Sequence, residues 1–127
     1  MRPPAKCYQD LEIWQKGHAL VVQVYRTTAS LPKNEEYGLK SQMRRAAVSI
    51  PANIAEGFRR RTAPDKARFV NIALCSLMEL AYYYYLAPEL GFLPKETLKA
   101  ELAELSRMLD AAEYTMWKKA QEERGKT

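Results

Sequence analysis

The chain has 127 residues, 47% of them hydrophobic and 28% charged, with a formal net charge of +5. This length fits one domain, which can bury about two-thirds of its unfolded surface without a disulfide or metal staple. The composition excludes a disordered chain, and five glycines are few for an all-β protein rich in tight turns. Cys7 and Cys75 are too few for a disulfide framework and read as reduced thiols of a cytoplasmic protein. Met1–Asp10 contains no apolar segment of the kind a signal peptide carries.

The periodicity predicts four helices, at about 11–28, 35–60, 64–90 and 95–123, in a single domain spanning 1–127. Asp10 is the expected N-cap of the first. Leu11, Trp14, His18, Val21 and Tyr25 form its expected apolar face, and Leu31-Pro32 ends it. In the second, Leu39, Met43, Ala46, Ala47, Ile50, Ile54 and Phe58 share one face. Gln42, Arg45, Ser49, Ala52, Asn53, Glu56 and Arg60 share the other. Pro51 should kink this helix without ending it, because the apolar register continues past it. Thr62 is the expected N-cap of the third helix, with Pro64 in its first turn. That helix carries two apolar seams, one through Phe69, Ala73, Leu80 and Ala87, the other through Val70, Leu74, Leu77 and Tyr85. The extra apolar face suggests a subunit interface. Asn71, Glu79 and Glu89 interrupt the apolar run below the ~18 uncharged residues of a membrane span. Gly91 and Pro94 mark the last turn. Leu98, Leu102, Leu105, Leu109, Ala112 and Met116 then repeat as a bundle seam, and Glu122–Thr127 read as a frayed tail. The short connections make consecutive helices antiparallel neighbours, giving an all-α, up-down four-helix bundle.

No enzyme site is recognisable. The single histidine, His18, reads as a core or interface residue, and no metal-ligand or phosphate-loop spacing occurs. Cys75, set among apolar residues, has no base near it in sequence. Glu79 and Glu89 lie roughly 15 Å apart along one helix, too far to act as a carboxylate pair. Neither a catalytic residue nor a cofactor is assigned.

The charge is unevenly placed. Between Gly38 and Val70 stand Lys40, Arg44, Arg45, Arg59, Arg60, Arg61, Lys66 and Arg68 against Glu56 and Asp65. Eight positive and two negative charges make this window +6, which leaves −1 for the rest of the chain. Lys40, Arg44, Arg59, Arg60, Arg61, Lys66 and Arg68 are therefore candidate nucleic-acid contacts, because arginine pairs bidentately with phosphate. The competing reading is a solvated basic end. Arg45, Ser49, Asn53 and Glu56 fit a polar network between helices or subunits better. The run Tyr82–Tyr85 points four ways around a helix, which favours packing over stacking on bases.

Several stretches carry a family resemblance. They are Asp10-Leu11-Glu12-Ile13-Trp14, Tyr37-Gly38-Leu39, residues 41–58, Arg68-Phe69 and Ser76-Leu77-Met78-Glu79-Leu80. Asn53-Ile54-Ala55-Glu56-Gly57 is the most specific of them. Together they resemble the four helix bundle proteins, also called 23S rRNA-intervening sequence proteins. The resemblance implies an antiparallel four-helix bundle assembled as a ring-like homopentamer. It also implies a distant relation to the accessory variability determinant protein of diversity-generating retroelements, a basic pentamer that binds nucleic acid and partners a reverse transcriptase. The chain departs from the family pattern at Cys75, where glycine is usual, and at Tyr82–Tyr85, where polar residues are usual. The leading expectation is a non-enzymatic, homo-oligomeric accessory protein that binds RNA or DNA, with a reverse transcriptase as a narrower partner and no membrane association. The alternative is an oligomeric scaffold without a nucleic-acid role.

Overall fold

Local chemistry sets the helix ends. The structure, a computed structural model, describes residues 3–125. Four α-helices, α1 Glu12–Thr28, α2 Leu39–Arg59, α3 Ala63–Glu89 and α4 Lys99–Gly125, are accompanied by 3-10 helices at Tyr8–Asp10 and Lys33–Glu35. No strand occurs among the described residues.

Asp10 does not cap α1. Its carboxylate accepts from the backbone N–H groups of Lys6 (3.0 Å) and Cys7 (3.4 Å), closing the first 3-10 helix, and Leu11 takes the cap position. α2 starts four residues later than expected, because Lys33–Glu35 is 3-10 and Gly38 is non-helical; Glu35 Oε1 then accepts from the Leu39 N–H at 3.0 Å. α2 runs through the buried Pro51. Thr62 caps α3 as expected, its hydroxyl accepting from the Asp65 N–H. Gly91, at φ +76°, ends α3: its N–H donates to Pro88 O and the Phe92 N–H to Ala87 O, the paired bonds of a Schellman motif. Glu96 and Leu98 also have positive φ, so α4 begins at Lys99 and not near 95. The tail expected from Glu122 is helical to Gly125; Lys126 and Thr127 lie outside the described residues.

Cross-helix contacts set the topology. Arg44 near the start of α2 reaches Tyr25 and Thr28 at the end of α1. Lys66 in the second turn of α3 reaches Gly57 and Phe58 at the end of α2, and Asn71 of α3 donates to Glu113 late in α4. Consecutive helices are therefore antiparallel, and α4 packs back on α1. The core joins Leu20 and Val24 of α1, Met43, Ala47 and Ile50 of α2, Ala73, Leu77 and Leu80 of α3, and Leu105 and Leu109 of α4.

Two faces differ from expectation. α1 buries Gly17, Leu20, Val24 and Thr28, while His18 and Tyr25 are exposed. Gly17 faces α2, where a Cβ would sit 3.5 Å from Ile50 Cγ2, and Leu11, Trp14 and Val21 of the expected face pack partly buried against the core. The two seams of α3 merge into one buried face, Val70, Ala73, Leu77, Leu80, Tyr84 and Ala87. Its outer side exposes Met78, Tyr82 and Tyr85. By length and composition alone α3 could cross a membrane, and 33% of its most apolar window is buried in the chain. Its Asn71 and Glu79 lie on the exposed side.

The two helical glycines give opposite predictions. Gly17→Ala adds a methyl at ordinary contact distance and removes a poor helix former, so stability should rise by up to about 1 kcal/mol. Gly57→Ala places a Cβ 2.9 Å from Phe69 Cβ and should cost about 1–3 kcal/mol. Urea unfolding of the two variants checks both signs.

Burial pushes the Tyr84 hydroxyl up to about 12 from 10.0, against the pull of its Thr27 hydrogen bond and of Arg44. The folded state thus favours neutral tyrosine. Its contribution is complete below pH 10 and is lost as pH rises from 10 through about 12, about 2–3 kcal/mol at most. Tyr84→Phe should flatten that part of the alkaline unfolding profile relative to the parent.

Candidate nucleic-acid interface

The seven basic candidates do not form one surface. Arg44 and Arg59 are fifteen residues apart on α2, roughly 22 Å along its axis. Lys40 is paired with Glu36 at 3.1 Å, its side chain only 15% exposed. Arg44 is a clamp: Nε donates to Thr28 Oγ1 at 3.0 Å, Nη2 donates to Tyr25 O at 3.2 Å, and the guanidinium covers the Tyr25 ring. These two cations fasten the start of α2 to its surroundings.

The other five gather where α2 passes into α3. Gly57 lets Phe69 close on α2, so the connection needs only Arg60, Arg61 and Thr62. Lys66 Nζ donates to Phe58 O (2.9 Å) and Gly57 O (3.4 Å), satisfying carbonyls that the end of α2 leaves open. Arg60 and Arg68 both lie over the Phe69 ring, 4.5 and 4.8 Å from its centroid. Arg59, Arg60, Arg61 and Arg68 are all exposed, and none forms an ion pair with a described residue. Four uncompensated guanidinium groups on one pole produce a positive field suited to phosphate.

Two grooves open on this pole. One, of about 470 Å³, lies between the N-terminal 3-10 helix and the last turns of α2; Lys6, Tyr8, Gln9, Glu56, Phe58 and Arg59 line it. The second, of about 310 Å³, is apolar and draws on all four helices, with Leu11, Ile54, Val70 and Met116 in its walls and Lys66 its one charged residue. Beside the first groove Tyr8 stacks on Trp14 at 5.1 Å, and Trp14 stacks on His18 at 5.1 Å with the rings 3° from parallel. His18 is thus the exposed end of an aromatic ladder and not a core residue. Sequence reasoning missed Lys6 and Tyr8, whose segment has no periodicity and reaches α2 only by folding back.

The expected polar network is smaller than predicted. Ser49 Oγ and Ser76 Oγ lie 2.8 Å apart across α2 and α3, and Asn53 Nδ2 donates to Ser49 O (2.7 Å) and Ser49 Oγ (2.9 Å). Arg45 and Glu56 do not pair; they stand eleven residues apart, roughly 16 Å. Arg45 lies near Tyr83, whose pKa is raised first by burial and then by its hydrogen bond to Glu79, with Arg45 opposing. Glu56 belongs to the first groove. Both cysteines are free and exposed, Cys75 among them despite its apolar neighbours in sequence.

The arginines therefore separate by role. Arg44→Ala strips the buried Thr28 hydroxyl of a donor and should cost about 1–3 kcal/mol of stability. Arg59→Ala should change stability by less than about 0.5 kcal/mol. Thermal and urea unfolding of the pair test this division.

Comparison with known proteins fits the same frame. No curated protein matches the chain. A family model does, the 23S rRNA-intervening sequence protein, over residues 9–111. The matched region runs from the first 3-10 helix into α4 and includes the arginine-rich joint. With the match covering more than half of its length, the chain belongs to the 23S rRNA-intervening sequence protein family.

Proposed function

We propose that the chain is a non-enzymatic, self-associating accessory protein of the cytoplasm that binds nucleic acid through the pole formed by Arg59, Arg60, Arg61, Lys66 and Arg68. The observation that carries this is the exposure of four guanidinium groups on and beside one short joint without an acidic partner among the described residues. Lys40 and Arg44 leave the binding set, because each is already engaged within the chain.

Self-association has separate support. Val48, Met78, Tyr82 and Tyr85 are exposed on α2 and α3, Tyr85 to 69%. Apolar surface of this kind marks a contact face, and a ring of five, as the family resemblance implies, would carry five times +5. The same patch favours the scaffold alternative, in which the basic pole is merely solvated. A narrower version makes the protein the partner of a retroelement reverse transcriptase; a polymerase encoded beside it and co-purifying with it would support that version, and a stand-alone gene would count against it.

The discriminating variant is Arg59→Glu/Arg61→Glu, which touches no internal contact of Arg60, Lys66 or Arg68. Its affinity for a short RNA or DNA should fall at least about tenfold at low salt. The slope of log affinity against log salt should become shallower by about 2. Mass in solution is measured alongside. An assembly that binds no polyanion, or a variant that binds as the parent does, overturns the nucleic-acid role and leaves the scaffold.

A further inference from the structure

We propose that the groove between the N-terminal 3-10 helix and the end of α2 is a slot for one unpaired nucleobase, so that the protein binds single strands in preference to duplex. The inference rests on the nucleic-acid role above and specifies its ligand. The groove combines two aromatic side chains, Tyr8 and Phe58, with two cations, Lys6 and Arg59. Gln9 and Glu56 also line it. The side chains of Lys6, Tyr8, Gln9, Glu56 and Arg59 donate or accept no hydrogen bond to any described residue, although their neighbours are extensively bonded. Lys6, Gln9, Glu56 and Arg59 are exposed and Tyr8 is half-buried, so these groups are hydrated and uncommitted to other described residues, open to a ligand that lies in the groove.

Charge decides which part of the ligand enters. Glu56 repels phosphate, so the backbone belongs beside Lys6 and Arg59, the latter next in sequence to Arg60 and Arg61. The interior then takes a base. Aromatic faces stack on any base with little regard to sequence, and only an unpaired base can leave its own stack to meet them. Tyr8 is braced for this by Trp14 stacked at 5.1 Å behind it. Phe58 is braced by Lys66 Nζ, 5.5 Å from its ring centroid, and by the backbone bonds Lys66 makes to the same turn. A carboxylate in the slot accepts from an exocyclic amino group, as in acidic contacts to cytosine N4. Glu56 therefore selects amino-bearing bases over uracil.

The test uses fluorescence anisotropy with a labelled twelve-nucleotide RNA of mixed sequence, free and annealed into a blunt duplex. The parent should bind the single strand at least tenfold more tightly. Tyr8→Leu and Phe58→Leu should each lower single-strand affinity by about tenfold and leave duplex affinity unchanged, and Tyr8→Phe should retain the parent's value. Oligocytidine should bind more tightly than oligouridine, with the ratio approaching one in Glu56→Gln. Equal parent affinity for single strand and duplex overturns the slot while the arginine-pole reading survives. Leucine variants that keep the parent's preference do the same, and equal affinity for the two homopolymers removes Glu56 from recognition. Binding to neither form, as RNA or as the matching DNA, overturns both the slot and the broader reading.

Discussion

The absence of a side chain at Gly57 is the constraint from which the basic pole follows. A Cβ there would meet Phe69 Cβ at 2.9 Å, so only glycine lets the first turns of α3 lie against the last turn of α2. That approach shortens the joint to three residues, two of them arginine. It also places the Phe69 ring between helices, where Arg60 and Arg68 both rest on it. Lys66 is delivered by the same approach to the open carbonyls of α2. Four guanidinium groups and an ammonium are thus crowded by packing, at an electrostatic cost that falls when salt or a polyanion screens them.

Much of the fold was legible because core patterning is periodic and local. Leu102, Leu105 and Leu109 announce α4, and Thr62 with Pro64 announces the start of α3; the structure agrees. What escaped has physical reasons. α1 offers two interleaved stripes, and hydrophobicity alone prefers the one with Trp14 and Tyr25. Packing fully buries the stripe through Gly17, Leu20 and Val24 and leaves Leu11, Trp14 and Val21 of the other partly buried against the same core. The late start of α4 depends on left-handed backbone at Glu96 and Leu98, which no propensity scale expects of those residues.

The candidate site was legible as a charge window but not as a shape. Sequence proximity grouped Arg44 with Arg59, while the helix separates them by most of its length. Their chemistry differs accordingly. Arg44 is spent on Thr28 and Tyr25, and Arg59 faces a groove. The aromatic wall of that groove comes from Tyr8, a residue that becomes relevant only because Asp10 folds its own carboxylate back onto the N–H groups of Lys6 and Cys7. No pattern in a single sequence encodes that turn.

The arrangement also separates two kinds of surface. Exposed apolar residues of α3, Met78, Tyr82 and Tyr85, lie ten or more residues beyond Arg68, about 15–25 Å farther along the axis. A copy-to-copy contact made there leaves each arginine pole open. Contact between copies that each carry +5 is opposed by their mutual repulsion. A polyanion lying across several poles removes that repulsion and gains from multivalency in the same step, because the second pole engages at high effective concentration. Under the proposed function, self-association and nucleic-acid binding would be linked equilibria, each strengthening the other, even though the two surfaces share no residue.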